Sequence, residues 1–213
     1  DLRSKIENID GYVERRLPLE TAGRALEGGV SSVSLCAPSH LARELFTYEG
    51  CGTLFTLTDY CRVERLALDD FYEVETLMQR GEREGYLKNR TPYEVNLLLL
   101  HGYGAWLGKE KDLVGFCSLF PYRAENAGEI SGLYTLTRFH GEGIGSRLVM
   151  TTITEARERH FGYLFACTNQ KGAQRLFERF DFYRVDPGEV PAEKWEGYDE
   201  ERMQNVAVYK REL

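Results

Sequence analysis

Polar and apolar positions change their period along this chain, and each change marks an element. Apolar residues recur at helical spacing in "LETAGRALEGG", which predicts a helix stopped by Gly28 and Gly29. "VSSVSL" alternates like a strand, "SHLARELFTYEG" reads as a helix between the candidate N-cap Ser39 and Gly50, and "GTLFTL" is β-like again. Residues 1–57 thus form a small α/β piece, too small to stand alone. It is expected to dock on the rest or on a partner chain, which leaves a homo-oligomer open.

A second pattern starts near Cys61. "CRVERLAL" predicts a strand, and "DDFYEVETLMQRGE" a helix with acidic residues in its first turn, where they suit the dipole. "TPYEVNLLLLHGY" opens with a capping box of Thr91, Pro92 and Glu94. "GAWLG", "DLVGFCSLFPY" and "EISGLYTL" then predict an antiparallel meander, with the turn "RAENAG" between the last two. A glycine cluster leads into a long helix at about residues 145–160, on which Ile144, Leu148, Val149, Ile153 and Ala156 keep helical spacing. After it come a buried strand "YLFACT", a short helix "GAQRLFERFDF", a strand "YRV", a loop "PGEVPAEKWEGYDEE" and a final alternating strand "NVAVYKREL".

Composition narrows the function classes. The chain has 213 residues, 42% hydrophobic and 29% charged, as in soluble globular proteins. A net charge of −7 argues against general nucleic-acid binding, which needs a basic surface. No apolar run approaches a membrane span, and the first ten residues lack a signal-peptide core. Five cysteines, odd in number and widely spaced, form no zinc pattern with the four histidines. They read as reduced thiols of a cytoplasmic protein, and no metal is expected.

The glycine cluster carries the candidate chemistry. His140 precedes Gly141, Glu142, Gly143, Ile144, Gly145 and Ser146. Glycines let a backbone turn with its amides inward, and a helix beginning there has unpaired N–H groups and a dipole that favour an anion. A tight strand–helix turn with no ligand would look the same. No Gly-Lys-Ser/Thr ends the loop, so it is not a P-loop, and the preceding meander disfavours a dinucleotide fold.

The order of elements resembles the GNAT acyltransferase family, whose signature is Arg/Gln-x-x-Gly-x-Gly/Ala. His140, Gly143 and Gly145 fall on its positions, with histidine departing at the first. "AQRLFERFDF" is similar to the family's Ala-x-x-Leu-Tyr-x-x-x-Gly-Phe through Ala173, Leu176, Phe177 and Phe182, with Asp181 in the glycine place. The resemblance implies an α/β (α+β) fold with a mixed central sheet whose strands "EISGLYTL" and "YLFACT" splay apart. It implies acetyl-CoA as cofactor, with its pyrophosphate on residues 141–146 and its pantetheine arm between those strands, against Leu133, Tyr134, Thr135, Asn169 and Phe177.

Several segments also resemble bacterial N-acetylglutamate synthases, which join an amino-acid-kinase-like domain to a GNAT domain. "GGVSSVSLCAPSHLARELFTYEGCGTLFT" is similar to the end of the kinase-like domain, "GEISGLYTL" to the synthase's fourth strand, and "GYDEERMQNVAVYKREL" to its Tyr…Arg-x-Ser-Lys ending. The resemblance implies a remnant of that domain at 1–57 and an acetyltransferase domain at 58–213. The chain is then either a fragment or a shortened relative; in the latter case arginine feedback through the missing bulk is not expected.

The implied reaction is acetyl transfer to the α-amine of an amino acid, with L-glutamate first among acceptors, as in arginine biosynthesis. An α-amine with a pKa of about 8 arrives mostly protonated, and Glu129 matches the family's general base. Amides near Gly132 and Leu133 would polarise the carbonyl. Phe177 stands where many members have a tyrosine general acid and cannot donate; its ordinary role is core packing. Thr168 matches a hydroxyl position of the synthases. Arg90 and Arg202 match arginines that bind substrate carboxylate, and arginine offers the bidentate fork. Gln204 replaces the motif's serine and Asn205 its lysine, which puts the acceptor in doubt. Two other readings stay open: an acetyl-CoA-binding regulatory module that has lost catalysis, and an acetyltransferase for another small amine or a peptide N-terminus.

Overall fold

The computed structural model describes residues 13–30, 32–46, 52–56, 61–107, 112–139, 142–198, 203 and 206–213. His140, Gly141, Arg202, Gln204 and Asn205 lie outside the described residues. The chain divides into two compact units, Asp1–Tyr60 and Cys61–Leu213.

In the first unit, helix α1 spans Val13–Glu27 and ends where Gly29 takes a φ of +99°. It starts six residues before the expected Leu19 and carries Pro18 inside, at the loss of one helical hydrogen bond. Strand β1 (Val33–Leu35) pairs antiparallel with β2 (Thr53–Phe55), and between them lies a 3-10 turn, Pro38–His40, followed by α2 (Leu41–Phe46). Ser39 sits inside that turn, so it caps no helix. Glu44 instead closes the unit, accepting from the amide of Gly52 at 2.7 Å and from the Ser34 hydroxyl.

The second unit is built on seven strands: β3 (Cys61–Arg65), β4 (Gly102–Leu107), β5 (Asp112–Tyr122), β6 (Ala127–Thr135), β7 (Tyr163–Thr168), β8 (Tyr183–Val185) and β9 (Ala207–Glu212). Their order across the sheet is β3-β4-β5-β6-β7-β9-β8. The meander β4–β5–β6 is antiparallel as expected, and β6–β7 is the parallel pair. The crossover between those two carries helix α5 (Ile144–Glu158), which buries Ile144, Leu148, Val149, Ile153 and Ala156. Helices α3 (Phe71–Arg83) and α4 (Pro92–Leu100) precede the meander, and α6 (Lys171–Arg179) follows β7.

Local chemistry explains the boundaries. The capping box of α4 forms, with the Thr91 hydroxyl accepting from the Glu94 amide at 3.3 Å and the Glu94 carboxylate accepting from the Thr91 amide at 2.8 Å. Asp181, in the family's glycine place, takes a φ of +60°, a left-handed turn that aspartate tolerates better than most residues. The segment read as a loop holds two 3-10 turns, Pro187–Glu189 and Ala192–Trp195. It is anchored by buried Val190 and by the Trp195 indole, which donates to the Pro187 carbonyl at 2.9 Å. The final strand does not alternate in burial: Ala207, Val208 and Tyr209 are all buried, because β9 lies between β7 and β8.

Among the described residues Cys36, Cys61, Cys117 and Cys167 form no disulfide. Among the described residues no helix is long and apolar enough to cross a membrane, and no three metal-ligating side chains gather.

Candidate active site

Two adjacent strands that part company create the site. β6 and β7 pair only over Ala127–Glu129 with Tyr163–Phe165. Beyond Glu129 each strand continues, β6 held by β5 and β7 by β9, with no ladder between them. Among the described residues no ladder joins these two inner edges, so an extended ligand can pair along them. Two cavities, of about 550 and 480 Å³, open at this wedge and share Tyr86, Leu133, Thr168 and Ala173 in their walls.

The smaller cavity lies at the N-terminus of α5. Gly143 is the N-cap with a φ of +80°, and the first intrahelical bond runs from the Arg147 amide to the Gly143 carbonyl at 3.0 Å. The amides of the first turn thus have no intrahelical acceptor, and the dipole adds positive potential. Gly143, Ile144, Gly145 and Ser146 line the cavity with Tyr134 and Thr135; Glu142 does not. Gly145 permits a close approach, since a Cβ there would stand 3.2 Å from Leu176 of α6. Arg175 and Arg179 also line this cavity, and Arg179 donates to the Ser146 hydroxyl at 3.1 Å. Amides, dipole and two guanidinium groups make an anion seat. These arginines were not singled out from the sequence, although both sit one turn apart on the short helix whose motif was.

Tyr134 is fixed from outside. Its hydroxyl and that of Thr137 donate to Glu84 at 2.8 and 2.7 Å, and Arg80 donates to the other oxygen at 2.8 Å. The Arg80 hydrogen bond, helped by those two hydroxyls, outweighs desolvation and holds the Glu84 carboxyl at about 2.

The larger cavity holds Glu129, Arg90, Gly132, Asn169, Cys167, Lys194 and Tyr198. Glu129 is buried at 5% exposure. The Tyr122 hydroxyl donates to its Oε2 at 3.0 Å, and Lys194 Nζ donates to its Oε1 at 2.6 Å. Burial would lower Lys194, but the Glu129 charge, with Cys167 and Tyr198, outweighs it and holds the ammonium above its ordinary value. Burial and then the Glu129 charge push the Cys167 thiol up to about 12, so it is a neutral thiol rather than a nucleophile. Tyr122 was legible in principle: Phe120 pairs with Glu129 across the hairpin, so Tyr122 is a diagonal neighbour on the same face. Lys194 had no such signal.

Gly132 bends β6. Phe116 faces Tyr134 while Ser118 faces Ser131, so Gly132 and Leu133 together oppose Cys117 in a β-bulge. Gly132 has a φ of +65°, and a Cβ there would stand 2.7 Å from Leu98 Cδ1 and 3.5 Å from Arg90 Nη1. Arg90 is held over this bulge, its Nη2 donating to the Ser131 hydroxyl at a long 3.4 Å. Its Nη1 is buried with no hydrogen-bond partner. Desolvation pulls the guanidinium down against the charges of Glu94 and Glu129.

Thr168 stands at the junction of the cavities, its hydroxyl accepting from the Gln170 amide at 3.0 Å. Phe177 touches the larger cavity but is 2% exposed, with its ring against Phe182 and Tyr209.

A model of the acetyltransferase (GNAT) family matches residues 62–182. The chain belongs to that family. Over 176 residues it is 26% identical to the amino-acid acetyltransferase of Shewanella oneidensis, a match covering 82% of this chain and 38% of that protein. It is also 26% identical over 213 residues to that of Ralstonia nicotianae, covering 95% of this chain and 46% of the relative. The structure of N-acetylglutamate synthase from Neisseria gonorrhoeae with coenzyme A and N-acetyl-glutamate superposes with a TM-score of 0.65 at 25% identity, covering all of this chain and 49% of that one. The chain spans less than half the length of these relatives. The seven-strand mixed sheet and its helices are the GNAT acyltransferase fold.

Proposed function

We propose that this GNAT chain transfers the acetyl group of acetyl-CoA to the α-amine of an amino acid, with L-glutamate the leading acceptor. The observation that carries the proposal is the wedge itself. A buried carboxylate sits at the apex where β6 and β7 part, an anion seat lies on one side, and a buried guanidinium with an unpaired nitrogen lies on the other. The names of the relatives support an amino acid as acceptor; glutamate rests on Arg90 and on the likeness to the Neisseria synthase.

When bound, acetyl-CoA supplies an activated acetyl group on a thioester. The amides of residues 143–146, with Arg175 and Arg179, would hold its phosphates, and the edge of β6 at Leu133 and Tyr134 would pair with its amide-bearing arm. Amides of the Gly132–Leu133 bulge would face the oxygen on which charge develops. Glu129 would take the proton from the acceptor ammonium, and Arg90 would hold a carboxylate by its free nitrogen. Attack is direct, because Cys167 is kept protonated. A thiol leaving group with a pKa of about 8.5 makes a general acid helpful rather than essential; the Thr168 hydroxyl, where the two cavities meet, would take that role. Arg202 and Gln204 would complete the carboxylate site by their resemblance to the synthase motif. Residues 1–57 would be the end of an amino-acid-kinase-like domain.

The test follows CoA thiol release from acetyl-CoA with each of the twenty amino acids and a short peptide. Release with glutamate, lowered about 100-fold or more by Glu129→Gln, supports the proposal. Tight CoA binding with no release from any acceptor favours the regulatory module, a reading that the engagement of Glu129 by Lys194 keeps in play.

A further inference from the structure

Resting on that reading, we propose that Lys194 is a gate on Glu129, and that a second carboxylate on the acceptor is what opens it.

The acceptor's ammonium must reach Glu129 to give up its proton. In the structure that place is already taken, because the Lys194 ammonium lies 2.6 Å from Oε1 and the Tyr122 hydroxyl 3.0 Å from Oε2. Lys194 and Glu129 side chains are only 12% and 7% exposed, so the pair is largely shielded from bulk solvent. Lys194 sits on the 3-10 turn Ala192–Trp195, pinned by Trp195 and with its ammonium 5.4 Å from the centre of the Tyr198 ring. The turn is held in place, so opening the gate would re-aim only the four-carbon stem, which is flexible in lysine.

The charges in the cavity wall favour one kind of acceptor. Lys88 is paired with Glu94 at 3.2 Å and Lys194 with Glu129. Arg90 is the lining cation with no carboxylate in salt-bridge reach among the described residues, and its Nη1 is unpartnered. An amino acid with one carboxylate satisfies Arg90, but its ammonium then displaces Lys194 into a cavity whose other lining carboxylate among the described residues, Glu94, is already paired with Lys88. Leaving a buried charge unpaired is strongly unfavourable. An amino acid with two carboxylates offers one to Arg90 and the other to Lys194. The Glu129–Lys194 pair is then opened by insertion of an ammonium and a carboxylate, and every charge keeps a partner. The gate thus couples availability of the base to the acceptor's own second anion, a discrimination made by leaving a wrong ligand's partner unpaired.

The experiment compares kcat/KM for L-glutamate and its uncharged isostere L-glutamine in the native chain, Lys194→Met, Lys194→Gln and Lys194→Arg. The native chain is expected to favour glutamate on the order of 100-fold, the size of effect that an unpaired buried charge produces. Lys194→Met and Lys194→Gln should collapse that ratio to about tenfold or below, raising KM for glutamate and raising kcat for glutamine. Lys194→Arg should keep it within several-fold. A kcat lowered equally for both acceptors, with the ratio unchanged in Met and Gln variants, would make Lys194 a structural support and overturn the gate. If Lys194→Met does not fold, the Gln variant, which can still donate to Glu129, carries the comparison. Absence of any transfer by the native chain would instead overturn the acetyltransfer reading beneath it.

Discussion

Replacing Arg90 by methionine separates a guanidinium kept for a ligand from one kept for the fold. Methionine preserves most of the apolar stem against Leu98 and the bulge, while the charge and its unpaired nitrogen disappear. The backbone amide of Arg90 donates to Glu82 at 3.3 Å, a bond that any residue can make. What is lost is a 3.4 Å contact to Ser131, long enough to contribute little. What is relieved is a buried donor with no partner, which costs about 1–3 kcal/mol. Desolvation is also the largest influence on this guanidinium, ahead of its attraction to Glu94 and Glu129. Arg90→Met is therefore expected to stabilise the unliganded protein by about 1–3 kcal/mol, read as a rise of roughly 2–4 °C in Tm per kcal/mol. The same change should lower kcat/KM for the amino-acid acceptor on the order of 100-fold, with the Kd for CoA unaltered. Differential scanning fluorimetry, CoA titration and initial rates measure the three quantities on one preparation. A fall in Tm of several degrees with acceptor kinetics unchanged would refute the reasoning, because the guanidinium would then be holding the fold together.

Three further outcomes follow from the geometry. Gly132→Ala places a Cβ at 2.7 Å from Leu98 at a φ of +65°; it should cost about 1–3 kcal/mol in urea unfolding and slow transfer more than it weakens CoA binding. Glu84 is ionised down to about pH 2 when folded, below the ordinary carboxyl value of about 4.3. Its contribution is thus fully present above that ordinary value and fades as pH falls toward 2, so the native chain and Glu84→Gln should differ most in Tm near neutral pH and converge in acid. Arg179→Ala removes a cation beside Ser146 and should raise the Kd for CoA by about tenfold, measured by calorimetry; an equal Kd would show that the helix amides bind the phosphates without it.

Much of the fold was legible because the signals are local. "DLVGFCSLFPY" and "YLFACT" are strands from their first residue to their last, and Thr91, Pro92 and Glu94 cap α4 as their spacing requires. The glycines before α5 mark its start within a residue. Errors gathered where long-range contacts decide the outcome. β9 loses its alternation because it is slotted between two strands, and the proline-bearing loop becomes two 3-10 turns because Val190 and Trp195 find a core to anchor in. Helix α1 runs through Pro18, a position that local propensity alone would have spared.

The sequence by itself determined which chemistry could be assembled. A glycine cluster in front of a helix leaves unpaired amides and a dipole that favour an anion, since both are properties of the backbone. Glu129, the third residue of β6, was identifiable by its match to the family's base position. Tertiary structure decided what these groups face. Lys194 comes to lie 2.6 Å from Glu129 across 65 residues of chain, and Arg90 reaches Ser131 across 41. No periodicity encodes such meetings. They are set by where β6 and β7 stop pairing and by the turn that packs beneath them. Burial then gives each charge its meaning, leaving one carboxylate engaged by an ammonium and one guanidinium with a nitrogen unused.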